Sequence, residues 1–133
     1  MRTGLGWIAA GLLLLGHPAW AALGSADDPI SVHFKRGAQS VRLTGRLTQN
    51  VECCAYRIKA HAGQTLYWRV TGPAFRAVIV YPDGNTDGPG IPNAIPLPAD
   101  GAFVLTISPN LMADGAFGRF ELTLRIPPKE RGR

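Results

Sequence analysis

Six residues in the middle of the chain have the types and spacing of the opening of a calcium-binding loop. Asp83, Asn85 and Asp87 place side-chain oxygens at its first, third and fifth positions, and Gly88 follows where such loops turn sharply. The twelfth position is Ala94, where a bidentate glutamate would be needed. The pattern leaves a Ca²⁺ site open, but it favours a polar connection between strands that holds no cofactor.

Cys53 and Cys54 are the only cysteines, and they are adjacent. A disulfide between neighbours must close a strained eight-membered ring. In an extended segment one thiol faces inward and the other outward, which favours a buried and an exposed free thiol that are open to oxidation. The outward thiol could instead link two chains, so the sequence leaves open a monomer and a disulfide-linked dimer. Two thiols without a neighbouring histidine motif are weak support for a metal site.

Groups that could perform catalysis are sparse. Beyond the N-terminal 21 residues the histidines are His33 and His61, and both fall in predicted strands or at their ends. The sequence contains no Gly-x-Ser-x-Gly motif, and no pair of carboxylates can be placed across a scissile bond. We therefore expect a protein that is not an enzyme.

Arginine supplies most of the positive charge, with 11 Arg against 3 Lys in a chain of net charge +5. Such residues form either a solvated face or a surface for an anionic partner. Nucleic acid is not expected, because the chain lacks the aromatic stacking motifs of RNA-binding domains. Seven arginines fall mainly on outward strand positions: Arg42, Arg46, Arg57, Arg69, Arg76, Arg119 and Arg125.

Residues 1–21 have the pattern of a cleaved export signal. Arg2 precedes an apolar run of 12 residues, and Ala19 and Ala21 occupy the positions that a signal peptidase selects. The run is shorter than the roughly 20 residues of a membrane-spanning helix, so no stable membrane anchor is expected. The sequence thus predicts a periplasmic protein whose mature chain begins near Ala22.

The remaining chain has the composition and periodicity of one β-rich domain. A charged fraction of 17% and a hydrophobic fraction of 46% are not typical of disordered or coiled-coil chains. Apolar residues alternate with polar ones in short runs separated by Gly and Pro turns, most clearly over residues 119–126. These features predict an all-β fold over residues 22–126, a single antiparallel, jelly-roll-like β-sandwich of about eight strands, followed by a disordered polar tail at 127–133.

Two finer expectations concern the arrangement of the strands. Val32 and Phe34 mark the first strand, and the run from Phe75 to Tyr81 is apolar on both faces, as in a central strand. If consecutive strands are antiparallel throughout, loop 48–53 and turn 98–101 emerge at one end of the sandwich. Loops 82–94 and 108–117 then emerge at the other end.

The order of several short motifs resembles a known family. They are Val32-His-Phe34, Ser40-Val-Arg-Leu-Thr44-Gly45, the Ala60-His-Ala-Gly63-Gln64 turn, the Leu97-Pro-Ala-Asp100-Gly101 turn, and Ser108-Pro-Asn110 with Gly118-Arg-Phe120. Together they resemble the small bacterial periplasmic inhibitors of g-type lysozyme. The resemblance spans residues 30–126. More loosely, the chain is similar to the pre-peptidase C-terminal β-sandwich domains of secreted bacterial peptidases.

The resemblance implies a non-enzymatic inhibitor whose loops enter the substrate cleft of a lysozyme. The family's contact surface draws on the loop after the second strand, here residues 48–54, the Leu-Pro-Ala turn and the loop before the last strand. Carried onto this chain, it predicts contacts from Gln49, Asn50, Asp100, Asn110, Leu111, Met112, Asp114 and Arg119. The alternative is a stand-alone β-sandwich module, stabilised by calcium or not, that binds another protein or an anionic glycan.

Overall fold

A computed structural model describes residues 24–25, 27–49 and 54–128 of the chain. Over these residues the protein is built from strands and turns, and no helix long and apolar enough to cross a membrane is found among them. The strands are β1 (Ile30–Ser31), β2 (Ser40–Leu47), β3 (Ala55–Ala60), β4 (Thr65–Thr71), β5 (Phe75–Val80), β6 (Thr86–Asp87), β7 (Ala94–Pro96), β8 (Gly101–Pro109) and β9 (Gly118–Arg125).

The strands form two sheets, as expected for a β-sandwich. One has the order β1-β3-β8-β5-β6, and the other has the order β2-β9-β4-β7. All pairings are antiparallel except that of β1 with β3, which is parallel and places Ile30 opposite Tyr56. The predicted antiparallel β-sandwich is confirmed, and the one parallel pairing arises because β1 and β3 are separated in the chain by β2, which lies in the other sheet.

The core lies between the two sheets and follows the alternation seen in the sequence. In β9 the side chains of Phe120, Leu122 and Leu124 are at most 2% exposed, while their neighbours point outward. Alternation with one buried face is what a two-layer sandwich requires. Other buried core residues come from β3, β4 and β8: Tyr56, Ile58, Leu66, Trp68, Phe103, Leu105 and Ile107.

Two strand predictions differ from the structure. The first strand is Ile30–Ser31 rather than the Val32–Phe34 run, although the Val32 N–H still donates to the Arg57 carbonyl at 2.9 Å. The central strand of the five-stranded sheet is β8, whereas β5 lies one strand from the edge, and its outward Val78 and Val80 are half-buried. An apolar run therefore did not identify a strand covered on both faces.

The predicted placement of the loops is also wrong. Two short strands, β6 and β7, lie between β5 and β8, whereas the prediction allows only one strand between loop 82–94 and turn 98–101. The chain therefore reverses direction once more than the prediction assumes. One end of the sandwich, which we call the β8–β9 end, therefore contains residues 48–49, 72–74 and 110–117. The opposite end, which we call the β7–β8 end, contains residues 61–64, 81–85 and 97–100.

The residues that follow β9 remain hydrogen-bonded to the rest of the domain. The Ile126 N–H donates to the Gln39 carbonyl at 2.9 Å, and the Gln64 side-chain amide donates to the Pro127 carbonyl at 3.3 Å. Residues 129–133 lie outside the described residues, so the disordered tail stays a prediction.

Candidate partner-binding site

Among the described residues, most of the exposed large apolar side chains belong to the loop between β8 and β9, residues 110–117. Leu111 is 60% exposed, Met112 is 92% exposed and Phe117 is 48% exposed, and the fourth such residue is Tyr67 on β4. Single exposed apolar residues are common on protein surfaces, but a contiguous group of them marks an interaction site. This loop is therefore the strongest candidate contact surface.

The loop is held in one conformation by its own turn. The Asn110 side-chain oxygen accepts a hydrogen bond from the Met112 N–H at 3.1 Å, and the Asn110 carbonyl accepts one from the Ala113 N–H at 3.1 Å. An asparagine that bonds to the backbone two residues later is a common turn device. Asn110 thus positions the exposed Met112.

The connection between β4 and β5 fixes both ends of the same loop. The Ala74 carbonyl accepts from the Asn110 N–H at 3.1 Å, and the Ala74 N–H donates to the Gly115 carbonyl at 2.9 Å. Gly115 has a φ of +71°, in the left-handed region that glycine tolerates best. Because both ends of residues 110–115 are bonded to Ala74, the exposed tip is ordered before any partner arrives.

A cleft of about 690 Å³ lies beside the loop. Its lining includes Met112 and Asn110 from the loop, and Trp68 and Phe75 from the neighbouring strands. The Trp68 indole N–H donates to the Pro92 carbonyl at 2.6 Å, and its ring meets Phe75 edge-on with centroids 6.0 Å apart. At this end of the sandwich the loop therefore projects beside a cleft, and a projecting loop can enter a concave site on a partner.

Charged groups surround the apolar tip. Arg119 is exposed at the start of β9 and lies directly opposite Arg46 of β2. Arg76 is exposed on β5 and lines the cleft, and Asp114 is exposed within the loop itself. An apolar centre with cations at its rim can bury its centre and approach an acidic group on the partner.

The structure brings together most of the contact residues that the sequence predicts. Asn110, Leu111, Met112 and Asp114 lie in the β8–β9 loop, and Arg119 follows at the start of β9. The exposed Gln49 lies at the same end, because it follows Leu47, which pairs with Gly118. Asn50 lies outside the described residues.

Asp100 lies apart from this group, at the β7–β8 end of the sandwich, so its contact with a partner stays a prediction. It precedes β8, whereas Asn110 follows that nine-residue strand, so the two residues are about 30 Å apart. The Asp100 carboxylate accepts a hydrogen bond from the Ala62 N–H at 2.8 Å and lies 3.7 Å from the His61 imidazole. Asp100 therefore joins two turns at the β7–β8 end.

Sequence reasoning missed Phe117 and the cleft residues. Phe117 lies two residues before Arg119 and four before Glu121, which both point outward. If the alternation of β9 is continued to Phe117, it predicts an outward side chain there as well. Trp68 and Phe75 read as core positions, and Trp68 is only 5% exposed. Their contribution to a cleft depends on the long-range packing of residues 88–93, which no local pattern reveals.

The candidate calcium ligands lie at the β7–β8 end, and their oxygens bond within the turn. The two Asp83 carboxylate oxygens accept hydrogen bonds from the Asn85 backbone N–H at 2.9 Å and from its side-chain amide at 3.0 Å. Asp87 accepts from the Tyr81 hydroxyl at 3.0 Å. Burial, followed by this bond and the Asp87 charge, raises the Tyr81 pKa.

Among residues 24–25, 27–49 and 54–128, no group of three or more His, Cys, Asp or Glu side chains could hold a metal ion. The amide nitrogen of Asn85 points to Asp83, so Asp83 and Asn85 act as a hydrogen-bonded pair within the turn. The geometry is that of an Asx turn between strands.

Cys54 is disulfide-bonded and 3% exposed, so the expected free thiol at this position is wrong. Its backbone N–H donates to the Ile107 carbonyl at 2.6 Å and its carbonyl accepts from the Ile107 N–H at 2.8 Å, which continues the pairing of β3 with β8. Cys53, the only other cysteine, lies outside the described residues. The bond within a single chain removes the Cys54 thiol as a link to a second chain.

Comparison with known proteins identifies the fold. No protein-family model matches the sequence, and no curated protein matches it. Among solved structures, Aeromonas hydrophila PliG, a periplasmic lysozyme inhibitor of g-type lysozyme, has a TM-score of 0.62 and 23% identity over 74% of this chain and 96% of that chain.

Two further structures of periplasmic inhibitors of g-type lysozyme are similar over 74% of this chain and 97% of theirs. Salmonella Typhimurium PliG has a TM-score of 0.57 and 17% identity, and a mutant of the Escherichia coli protein has a TM-score of 0.61 and 16% identity. At these identities the likeness establishes a shared β-sandwich fold.

Proposed function

We propose that the protein is a non-enzymatic periplasmic inhibitor of a g-type lysozyme, and that it acts by placing residues 110–117 in the substrate cleft. The observation that carries the proposal is the fixed apolar tip of this loop, where Met112 is 92% exposed. The fold shared with three inhibitors of g-type lysozyme supports the choice of partner.

The loop is suited to a cleft that normally holds a glycan chain. Burying a fully exposed aliphatic side chain is worth about 1.5–3 kcal/mol, so Leu111 and Met112 can supply a substantial part of the binding energy. The hydrogen bonds from Asn110 and Ala74 already order the tip. Little conformational entropy is then lost when the loop is bound, which favours tight association.

Blocking the cleft is sufficient to stop the reaction. Glycoside hydrolysis requires carboxyl groups beside the scissile bond and an extended glycan lying across them. An inserted loop excludes that glycan sterically. Arg119 at the base of the loop, or Arg76 at the edge of the cleft, can approach an acidic group of the enzyme and favour the bound orientation.

We further propose that residues 1–21 are removed on export and that the mature protein acts in the periplasm. The support is the short apolar run followed by Ala19 and Ala21. Mass spectrometry of the protein from a periplasmic extract should give an N-terminus at Ala22. An intact N-terminus in a membrane fraction would contradict this proposal.

A lysis assay tests the proposed inhibition directly. Purified mature protein is titrated against g-, c- and i-type lysozymes on cell-wall substrate. We expect stoichiometric inhibition of the g-type enzyme. Absence of inhibition of all three at micromolar concentration, with the protein shown to be folded, would contradict the proposal and favour a stand-alone module with another partner.

Matched variants test the placement of the site. Replacing both Leu111 and Met112 with Ser should raise the half-inhibitory concentration at least about tenfold, since residues at the centre of an interface dominate its affinity. Thr86→Ser, an exposed substitution on β6 at the β7–β8 end, serves as the control and should leave inhibition unchanged. Equal inhibition by all three proteins would show that another surface makes the contact.

A further inference from the structure

The outward face of the four-stranded sheet carries charge of nearly one sign. Alternation along β2, β4 and β9 directs five arginines and a single acidic residue, the half-buried Glu121, to this face. We call this surface the arginine face. Its arginines are Arg42, Arg46, Arg69, Arg119 and Arg125.

The strand register distributes these arginines over the whole face. Arg46 lies opposite Arg119 at one end, and Arg125 lies between Ser40 and Tyr67 at the other. In a middle row, Thr123 lies between Arg42 and Arg69. Neighbouring strands are about 4.8 Å apart and residues rise about 3.3 Å each, so the charges cover an area about 20 Å long.

Glu121 offsets only part of this charge. Its carboxylate lies 3.6 Å from the guanidinium of Arg42, whose side chain is 71% exposed. A face that serves only solubility usually intersperses charges of both signs, because a single sign repels itself. Five arginines against one glutamate is an excess that solvation alone does not require.

The type of cation and its setting indicate the chemistry of the ligand. All five are arginines, whose planar guanidinium binds carboxylate, phosphate or sulfate groups through two parallel hydrogen bonds. The Arg125 guanidinium carbon lies 4.3 Å from the centre of the Tyr67 ring, which holds this side chain in place. Hydroxyl groups of Ser40, Thr44, Thr71 and Thr123 lie between the arginines as further hydrogen-bonding groups.

We propose that the arginine face binds an acidic polysaccharide, a glycan that carries anionic groups at intervals along its chain. The spread of the cations over about 20 Å fits a polymer better than a single small anion. A lipid surface is disfavoured because the exposed Leu111, Met112 and Phe117 lie on the β8–β9 loop rather than on this face. This goes beyond the proposed inhibition, and the glycan would leave the tip of that loop free.

The test uses folded mature protein and sodium alginate, a polyuronate, in calcium-free buffer at low salt, with neutral dextran of similar length as the control polymer. We expect wild-type protein to bind alginate and not dextran, with an affinity that falls as NaCl is raised. The variant Arg42→Gln/Arg69→Gln/Arg125→Gln should bind alginate about tenfold more weakly, as expected for the loss of three exposed ion pairs.

A second triple variant removes the same charge from the other sheet. Arg57→Gln/Lys59→Gln/Arg76→Gln should lose less than about threefold in affinity, because these residues lie outside the arginine face. Equal losses in the two variants would overturn the proposal, since binding would then depend on net charge alone. Thermal unfolding of each variant excludes misfolding as the cause of a loss.

Two further measurements separate other anionic ligands. Vesicles containing anionic phospholipid should not bind more tightly than alginate, and inorganic phosphate at equal charge concentration should not displace alginate. Preferred binding to vesicles, displacement by phosphate, or no binding of alginate would each overturn the assignment to a polysaccharide. None of these measurements involves lysozyme, so failure here is distinguishable from failure of the proposed inhibition.

Discussion

Gly45 lies directly beneath the ring of Phe120. The two residues are cross-strand partners in β2 and β9, and a Cβ on Gly45 would lie 2.5 Å from the Phe120 Cζ and 3.2 Å from the Tyr56 hydroxyl oxygen. Phe120 and Tyr56 are each 2% exposed, so neither ring can move into solvent without opening the core. The glycine is therefore required by packing between the two sheets.

Gly45→Ala should destabilise the protein by about 1–3 kcal/mol, the usual cost of adding a methyl group to a filled core. Urea unfolding followed by circular dichroism measures the change. Combining Gly45→Ala with Phe120→Leu should cost less than the sum of the two single substitutions, because the smaller side chain vacates the space. A stability of Gly45→Ala within 0.5 kcal/mol of wild type, or strict additivity, would contradict this packing.

Stability should fall at alkaline pH because of Tyr56. Burial raises its pKa from 10.0 to about 12, so the folded state retains a proton that the unfolded state releases near pH 10. The folded state is thus disfavoured as pH rises from about 10 to about 12, by up to about 2–3 kcal/mol, and Tyr56 contributes no pH dependence below that window.

The measurement for Tyr56 is the unfolding free energy between pH 8 and 11.5. Tyr56→Phe should have a flatter profile above pH 10 than wild type, whatever its stability at pH 8. Tyr67→Phe, on the outer face of β4, controls for the removal of a tyrosine and should retain the wild-type profile. Parallel profiles for wild type and Tyr56→Phe would contradict the prediction.

Asp100→Ala should reduce stability by about 1 kcal/mol and leave lysozyme inhibition unchanged. The substitution removes the acceptor for the Ala62 N–H, and the net value of one such hydrogen bond is about 0.5–1.5 kcal/mol. Asp100→Asn keeps an acceptor oxygen and should cost less. A loss of inhibition by folded Asp100→Asn would return this residue to the contact surface.

Calcium should leave the melting temperature unchanged. Both Asp83 carboxylate oxygens accept hydrogen bonds from Asn85, and an ion would have to displace these bonds. Thermal unfolding in 5 mM CaCl₂ and in EDTA should therefore coincide. A rise of several degrees in calcium that disappears in Asp87→Asn would instead establish a site in this turn.

The sequence predicts the layers of the fold well, because burial in a sandwich repeats every second residue. Leu122 and Leu124 of β9, and Leu105 and Ile107 of β8, occupy the core as their alternation indicates. The export signal and Asn50 lie outside the described residues and stay predictions.

The arrangement of the ends could not be predicted in the same way. It depends on the two-residue strand β6, which is held by its pairing with Ile79 and Val80 and has no hydrophobic pattern of its own. The prediction omits this reversal and therefore places Asp100 at the same end as Gln49, whereas the two residues lie at opposite ends. The parallel pairing of β1 likewise depends on contacts far apart in sequence.

The full-length pairing of β2 with β9 has a consequence for the timing of folding. Ser40 near the start of the domain lies opposite Arg125 at its end, and β4 also pairs with β9. A ribosome or translocation channel that releases the chain from its N-terminus therefore delivers β2 and β4 long before the strand that joins them. Until residue 125 emerges, both have unpaired edges open to wrong neighbours, and such non-local topologies fold slowly. Completion of this domain is set by the arrival of its last strand.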